Sequence, residues 1–144
     1  MRARWWTCRP CCAAWAQGVP TRKPGLWEIT LLAPEGGPAQ RPVTVKQCTD
    51  KPHDAQALLS IAPGQENCKR PQVRREKGSQ HIETACAVHD VPVKMHMTLS
   101  GDLQSRFAGS YDVRFGKTAD PGGQSRTESR RFEGRWLSAC PAGM

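Results

Sequence analysis

The chain has 144 residues, enough for one domain and too few for two, and it carries a net charge of +8. Its 13 glycines and 12 prolines interrupt it too often for long helices, and no stretch approaches the roughly 18 consecutive apolar residues of a membrane-spanning helix. Seven cysteines in so short a chain point to an oxidising compartment.

Residues 1–16 have the outline of an export signal. Arg2 and Arg4 make a basic start, and Ala14-Trp15-Ala16 before Gln17 has the small-x-small form of a signal peptidase site. Arg9 and Pro10 interrupt the apolar middle, so the signal is degenerate. Residues 1–22 are therefore read as export signal and lead-in, and residues 23–144 as a single disulfide-bonded β domain. Cleavage after Ala16 removes Arg2, Arg4 and Arg9 and no acid, leaving +5. It also removes Cys8, Cys11 and Cys12, leaving Cys48, Cys68, Cys86 and Cys140, an even number. The first three cysteines have a metal-like spacing, but a structural zinc needs four ligands and no fourth lies nearby. Neither a metal site nor a cofactor is expected.

Residues 26–32, LWEITLL, read as the first strand, with Trp27, Ile29 and Leu31 on one face. Residues 34–42 are a loop. Residues 43–48 form the second strand, with Val43 and Val45 facing inward and Cys48 on the opposite parity. Thr49 or Asp50 can cap a short helix over residues 50–62, with Asp54 near its positive end. Ala55, Leu58, Leu59 and Ala62 are its apolar stripe, and Pro63-Gly64 ends it. Residues 91–99 alternate most clearly, with Val91, Val93, Met95, Met97 and Leu99 on one face. After a turn at residues 100–102, residues 106–115 return with Phe107, Tyr111, Val113 and Phe115 on one face, and Gly109 marks a bend. Residues 116–124 are a loop. Residues 125–136 are polar on both faces apart from Phe132 and Trp136, which suits an edge strand. The fold expected is all-β: an antiparallel meander forming a curved sheet or partly open barrel, with one short α-helix packed against it.

The middle of the chain is a hairpin. Lys77-Gly78 can form its two-residue loop, which sets Glu76 opposite Ser79 and Val73 opposite Ile82. Continued without interruption, that register puts Lys69 opposite Cys86. One extra residue on the first strand near Pro71, which cannot donate to a ladder, brings Cys68 opposite Cys86 and within reach of a disulfide. Cys48 and Cys140 are then left for each other.

Lys23-Pro24-Gly25-Leu26-Trp27-Glu28-Ile29-Thr30 resembles the opening of a family of small secreted bacterial proteins, the domain of unknown function 3617. Val45-Lys46-Gln47-Cys48-Thr49, the later Cys68 and Cys86, and Gly134-Arg135-Trp136-Leu137 with Cys140-Pro141 extend the resemblance over residues 23–144. It implies export to the periplasm, an all-β fold and four structural cysteines, and no established activity.

Residue patterns that often carry chemistry have plainer readings here. Met95-His96-Met97 looks like a soft copper set, but on a strand His96 points away from both methionines. His89-Asp90 diverge for the same reason, and Glu28 reads as a solvent-facing carboxylate. There is no nucleophile-elbow motif and no glycine-rich phosphate loop, so enzyme chemistry finds no support. Basic residues cluster at Lys69, Arg70, Arg74, Arg75 and Lys77, and again at Arg126, Arg130, Arg131 and Arg135. They favour anionic partners, although no interleaved aromatics accompany them as nucleic-acid binding would require. Two classes of function remain. One is a binding or interaction module for an apolar or anionic ligand, with Trp27, Phe107 and Tyr111 facing it. The other is a structural or stress-related envelope component with no small ligand.

Overall fold

The computed structural model describes residues 18–33, 41–117 and 125–142. The export signal expected at residues 1–16 lies outside them, as do residues 34–40 of the loop expected at 34–42 and residues 118–124 of the loop expected at 116–124. Among the described residues there are seven strands: β1 (Gly25–Leu31), β2 (Val43–Thr49), β3 (Gln72–Glu76), β4 (Ser79–Val88), β5 (Val91–Gly101), β6 (Arg106–Phe115) and β7 (Arg126–Ser138). A helix, α1 (Asp54–Leu59), lies between β2 and β3. The strands form a single antiparallel sheet of order β2-β1-β7-β6-β5-β4-β3 that is not closed into a barrel. Strands β3 to β7 are the expected meander. The β1–β2 hairpin is added at its end by pairing β1 with β7, Trp27 against Trp136 and Leu31 against Phe132.

This pairing corrects two expectations. β7 is an interior strand, and the edges are β2 and β3. Its polar outer residues are tolerated because one face of the sheet meets water. On its inner face, Phe132 and Gly134 supply the core contact, Arg126 stacks 4.4 Å from the Phe115 ring centre, and Arg130 Nε donates to Leu32 O at 3.1 Å. Val43 and Val45 do share a face with Leu31 and Ile29, but on an edge strand they remain 46% and 41% exposed. The helix is also shorter than its apolar stripe suggested. Residues 51–53 form a turn in which Asp50 accepts the His53 N–H at 3.0 Å, and the helix starts only at Asp54.

The core lies on the inner face. Met95, Met97, Leu99 and Val113 from the meander meet Ile82, Ile29 and Leu58 there. Two glycines let the aromatic rings pack. Gly134 faces Phe107 across the ladder and Gly109 faces Phe132. A Cβ on Gly134 would fall on the Phe107 ring, and one on Gly109 would meet Thr98 O and the Phe132 ring. Each ring thus lies over the bare backbone of the neighbouring strand, a pairing that stabilises glycine within a curved sheet. Phe107 reaches Trp27 at 5.3 Å and Phe132 at 6.1 Å between ring centres, and Phe132 reaches Tyr111 at 6.3 Å.

The central hairpin turns at Lys77-Gly78, with Gly78 at φ 80°, and pairs Glu76 with Ser79 and Val73 with Ile82. The ladder ends at Gln72 opposite Glu83. Instead of continuing through a bulge, the chain leaves the sheet at Pro71, and Lys69 N–H donates to Ala85 O at 2.9 Å. That one-residue offset brings Cys68 to Cys86, which are disulfide-bonded with Cα atoms 3.9 Å apart. Cys48 and Cys140 form the second disulfide, with Cα atoms 5.6 Å apart. It reaches from edge strand β2, past the start of β1, to the end of β7.

Candidate functional site

The inner face is filled. Trp27 is 0% exposed, and its Nε1 donates to Lys23 O at 2.8 Å. Phe107 and Tyr111 border surface grooves, yet they are only 3% and 4% exposed. The three residues expected to face a ligand are therefore brought into one aromatic core, where they contact each other directly or through Phe132. The glycine–aromatic pairing closes the space that a hollow sheet would have left.

A buried ion pair seals the end of this core. Arg22 Nη2 lies 2.8 Å from Asp54 Oδ1, with both side chains fully enclosed. Arg22 Nε also donates to Oδ1 at 2.9 Å, its backbone N–H donates to Oδ2 at 2.7 Å, and Nη1 donates to Gln47 Oε1 at 3.0 Å. The guanidinium sits 5.6 Å from the Trp27 ring centre and 5.5 Å from that of Phe107. Burial lowers the Arg22 pKa, and hydrogen bonding and attraction to Asp54 oppose that shift. Arg22 therefore belongs to the folded domain and not to a lead-in. Asp54, expected to sit on the helix dipole, is the partner that keeps this charge inside. Neither role has a periodic signature, because each depends on one residue meeting another 32 positions away.

The outer face is polar and open. His96 points there, while Met95 and Met97 are buried on the inner side, as strand geometry requires. His81 Nδ1 and His96 Nε2 are 3.0 Å apart. His81 Nε2 lies 3.2 Å from Glu76 Oε2, and Thr98 Oγ1 lies 3.4 Å from His81 Nδ1. A carboxylate only accepts, so in the neutral rings His81 Nε2–H donates to Glu76 and His96 Nε2–H donates to His81 Nδ1. Thr98, His81 and Glu76 stand in the order of a nucleophile, a base and an orienting acid. His96 is nearer to the His81 lone pair than Thr98 is, and it occupies that lone pair. The surrounding N–H groups are committed to the sheet ladder and cannot serve as an oxyanion hole. Among the described residues, no group of three or more His, Cys, Asp or Glu side chains is arranged to hold a metal ion.

Two grooves open on this face, and the second of them reaches His96. One, of about 630 Å³, is walled by Glu28, Arg106, Glu133 and Arg135 and ends at the β5–β6 turn. Glu28 is not free in solvent: Arg135 Nε donates to its Oε1 at 2.9 Å. In the turn, Asp102 accepts N–H groups from Ser105, Arg106 and Gln104 and the Ser105 hydroxyl, which hold its carboxyl well below the usual range. These bonds fix a turn in which Leu103 has φ 59° and is itself buried. The second groove, of about 490 Å³, is bordered by Lys69, Lys94, Arg114, Glu83, Asp112 and His96. Sequence reasoning found neither groove. Their charged residues are scattered over five strands and a loop, and only the pairing order brings them together. No helix among the described residues is long and apolar enough to cross a membrane.

No curated protein and no solved structure matches the chain. A family model described as "Protein of unknown function (DUF3617)" matches residues 22–140, a span that begins at the buried Arg22 and ends at the disulfide-bonded Cys140. The chain belongs to the DUF3617 family.

Proposed function

We propose that this protein is exported to the periplasm and serves there as a non-catalytic binding domain, with the outer face of the sheet as its working surface and anionic groups as its ligands. The observation that carries this reading is the contrast between the two faces. The inner face is packed with Trp27, Phe107, Tyr111 and Phe132, so it leaves no room for an apolar ligand. The outer face holds two open grooves bordered by Arg106, Arg135, Lys94 and Arg114. The two disulfides support export, because such bonds persist in oxidising compartments. A non-catalytic role is supported by the engaged His81 lone pair and by the ladder-bound N–H groups around it.

Cell fractionation followed by intact-mass measurement tests the export claim. The periplasmic fraction should contain the chain with Cys48, Cys68, Cys86 and Cys140 oxidised and with an N-terminus near Gln17, or with one generated from a longer upstream start. Cytoplasmic protein that retains Met1 and reduced thiols would overturn it. The filled core also favours a second reading, a structural or stress-related envelope component with no small ligand. Failure of the outer face to bind any anion would select that reading.

A further inference from the structure

Two pairs of cations face each other directly across neighbouring strands of the outer face. Arg106 is opposite Arg135, and Lys94 is opposite Arg114. Like charges in directly opposed positions destabilise a sheet. In the first pair the repulsion is relieved within the protein, because Glu28 binds Arg135. In the second it is not: among the described residues neither Lys94 nor Arg114 has an ion-pair partner. A third cation joins them. Lys69 is held beside the same row by its N–H bond to Ala85 O, next to the Cys68–Cys86 disulfide. Ala85 is opposite Lys94 and has almost no side chain, so an opening remains between Lys69 and Lys94, two strand spacings or about 10 Å wide.

We propose that the groove over Ala85 is a binding site for a single phosphate-class oxyanion, held by Lys69, Lys94 and Arg114. This rests on the reading of the outer face as an anion-binding surface and gives that surface a location and a ligand class. Arg114 supplies a planar fork suited to two oxygens, and the lysines supply compact charges on either side. The next row along the strands is Glu83, His96 and Asp112, about 7 Å away. Its two carboxylates repel a second anionic group, so the site takes one oxyanion and rejects an extended polyanion. In the other direction lie the uncharged Ala87 and Pro92, with Glu66 held beside Ala87 by the Ala87 N–H bond to its carbonyl, so a second anionic group is disfavoured on that side too. Both a free phosphate compound and the headgroup of an anionic lipid have this chemistry.

The test is titration of isotope-labelled, disulfide-intact protein with inorganic phosphate, followed through its amide signals at low ionic strength. Saturable shifts are expected at Lys69, Ala85, Lys94 and Arg114. Lys94→Gln and Arg114→Gln should each weaken binding about tenfold or more, as loss of a charge-assisted hydrogen bond does. Arg75→Gln, exposed on β3 and outside the groove, should leave binding unchanged. All three positions are exposed, so the variants fold, and their dispersed spectra verify it. A parallel arm measures co-sedimentation with phosphatidylglycerol vesicles and with phosphatidylcholine vesicles. Arg114-dependent binding to the first alone identifies the lipid headgroup as the source, and phosphate shifts without vesicle binding identify a free phosphate. Shifts confined to the groove of Arg106 and Arg135 would overturn this site while leaving the anion-binding reading intact. No saturable shift anywhere would overturn both.

Discussion

The two disulfides differ in what they constrain, and that difference predicts a ranking of stability. Cys48–Cys140 spans 92 residues of chain and Cys68–Cys86 spans 18. On the loop-entropy relation these closures are worth about 4.6 and about 3.2 kcal/mol, a difference of about 1.4 kcal/mol. The short loop is nested in the long one, but nesting changes the long loop's effective length only slightly on a logarithmic scale. The choice of substituted cysteine matters. Cys86 is 7% exposed and packs in the core, so Cys86→Ser would add the cost of burying a hydroxyl. Cys68 and Cys140 are both exposed and break the same bonds without that complication. The local context points the same way. Without Cys68–Cys86, β4 still pairs with β5 along nine residue pairs. Without Cys48–Cys140, β2 keeps its pairing with β1 on one side, the contact of α1 and the hydrogen bond from Arg22 to Gln47. Urea unfolding under non-reducing conditions should therefore show Cys140→Ser losing more stability than Cys68→Ser, by roughly 1–2 kcal/mol at similar m-values. Equal losses, or a larger loss in Cys68→Ser, would refute the loop-length reasoning.

Asp54→Ala strands the buried Arg22 guanidinium and should cost about 3–5 kcal/mol. Arg22→Met combined with Asp54→Leu should recover much of that in the same unfolding assay, and a double variant no more stable than Asp54→Ala would count against an ion-pair origin. Gly134→Ala places a methyl group on the Phe107 ring and should cost about 1–3 kcal/mol, read as a lower thermal midpoint. Asp102 carries a pH signature. Its folded pKa is depressed, so its stabilising contribution is complete above the unfolded value near about 3.9 and declines as pH falls below it. The thermal midpoint of wild type should therefore exceed that of Asp102→Asn at pH 6, and the gap should narrow progressively below about pH 4; a gap that stays constant would contradict the assigned role.

The parts of the fold visible in the sequence were those with a local cause. Alternation in β5 and β6 follows from one buried face, and the register of the β3–β4 hairpin follows from Gly78, which fixes every later pair. The Cys68–Cys86 bond came from the same register, although the offset at Pro71 turned out to be an exit from the sheet. The place of β7 was not visible. Its polarity fits an edge, but its neighbour β1 pairs with it from about 107 residues away, as Arg135 and Glu28 illustrate. The state of the inner face was equally hidden. Trp27, Phe107 and Tyr111 read as inward-facing aromatics, and whether they line a cavity or fill it depends on Gly109 and Gly134, each opposite a phenylalanine. Arg22 reads as part of a polar lead-in because a lone arginine before a strand has no pattern to announce its burial. The grooves needed the strand order itself, which sets Lys94 against Arg114 and Arg135 against Glu28.

The proposal that an exported, oxidised domain works by holding an anion on its outer face meets its most direct test in native mass spectrometry of protein released gently from the periplasm. The expected spectrum contains a chain carrying two disulfides, with a fraction bearing an anionic adduct that raised ionic strength removes and that Arg114→Gln lacks. A chain recovered from the periplasm free of any adduct, and unable to gain one on addition of phosphate or anionic lipid, would contradict it.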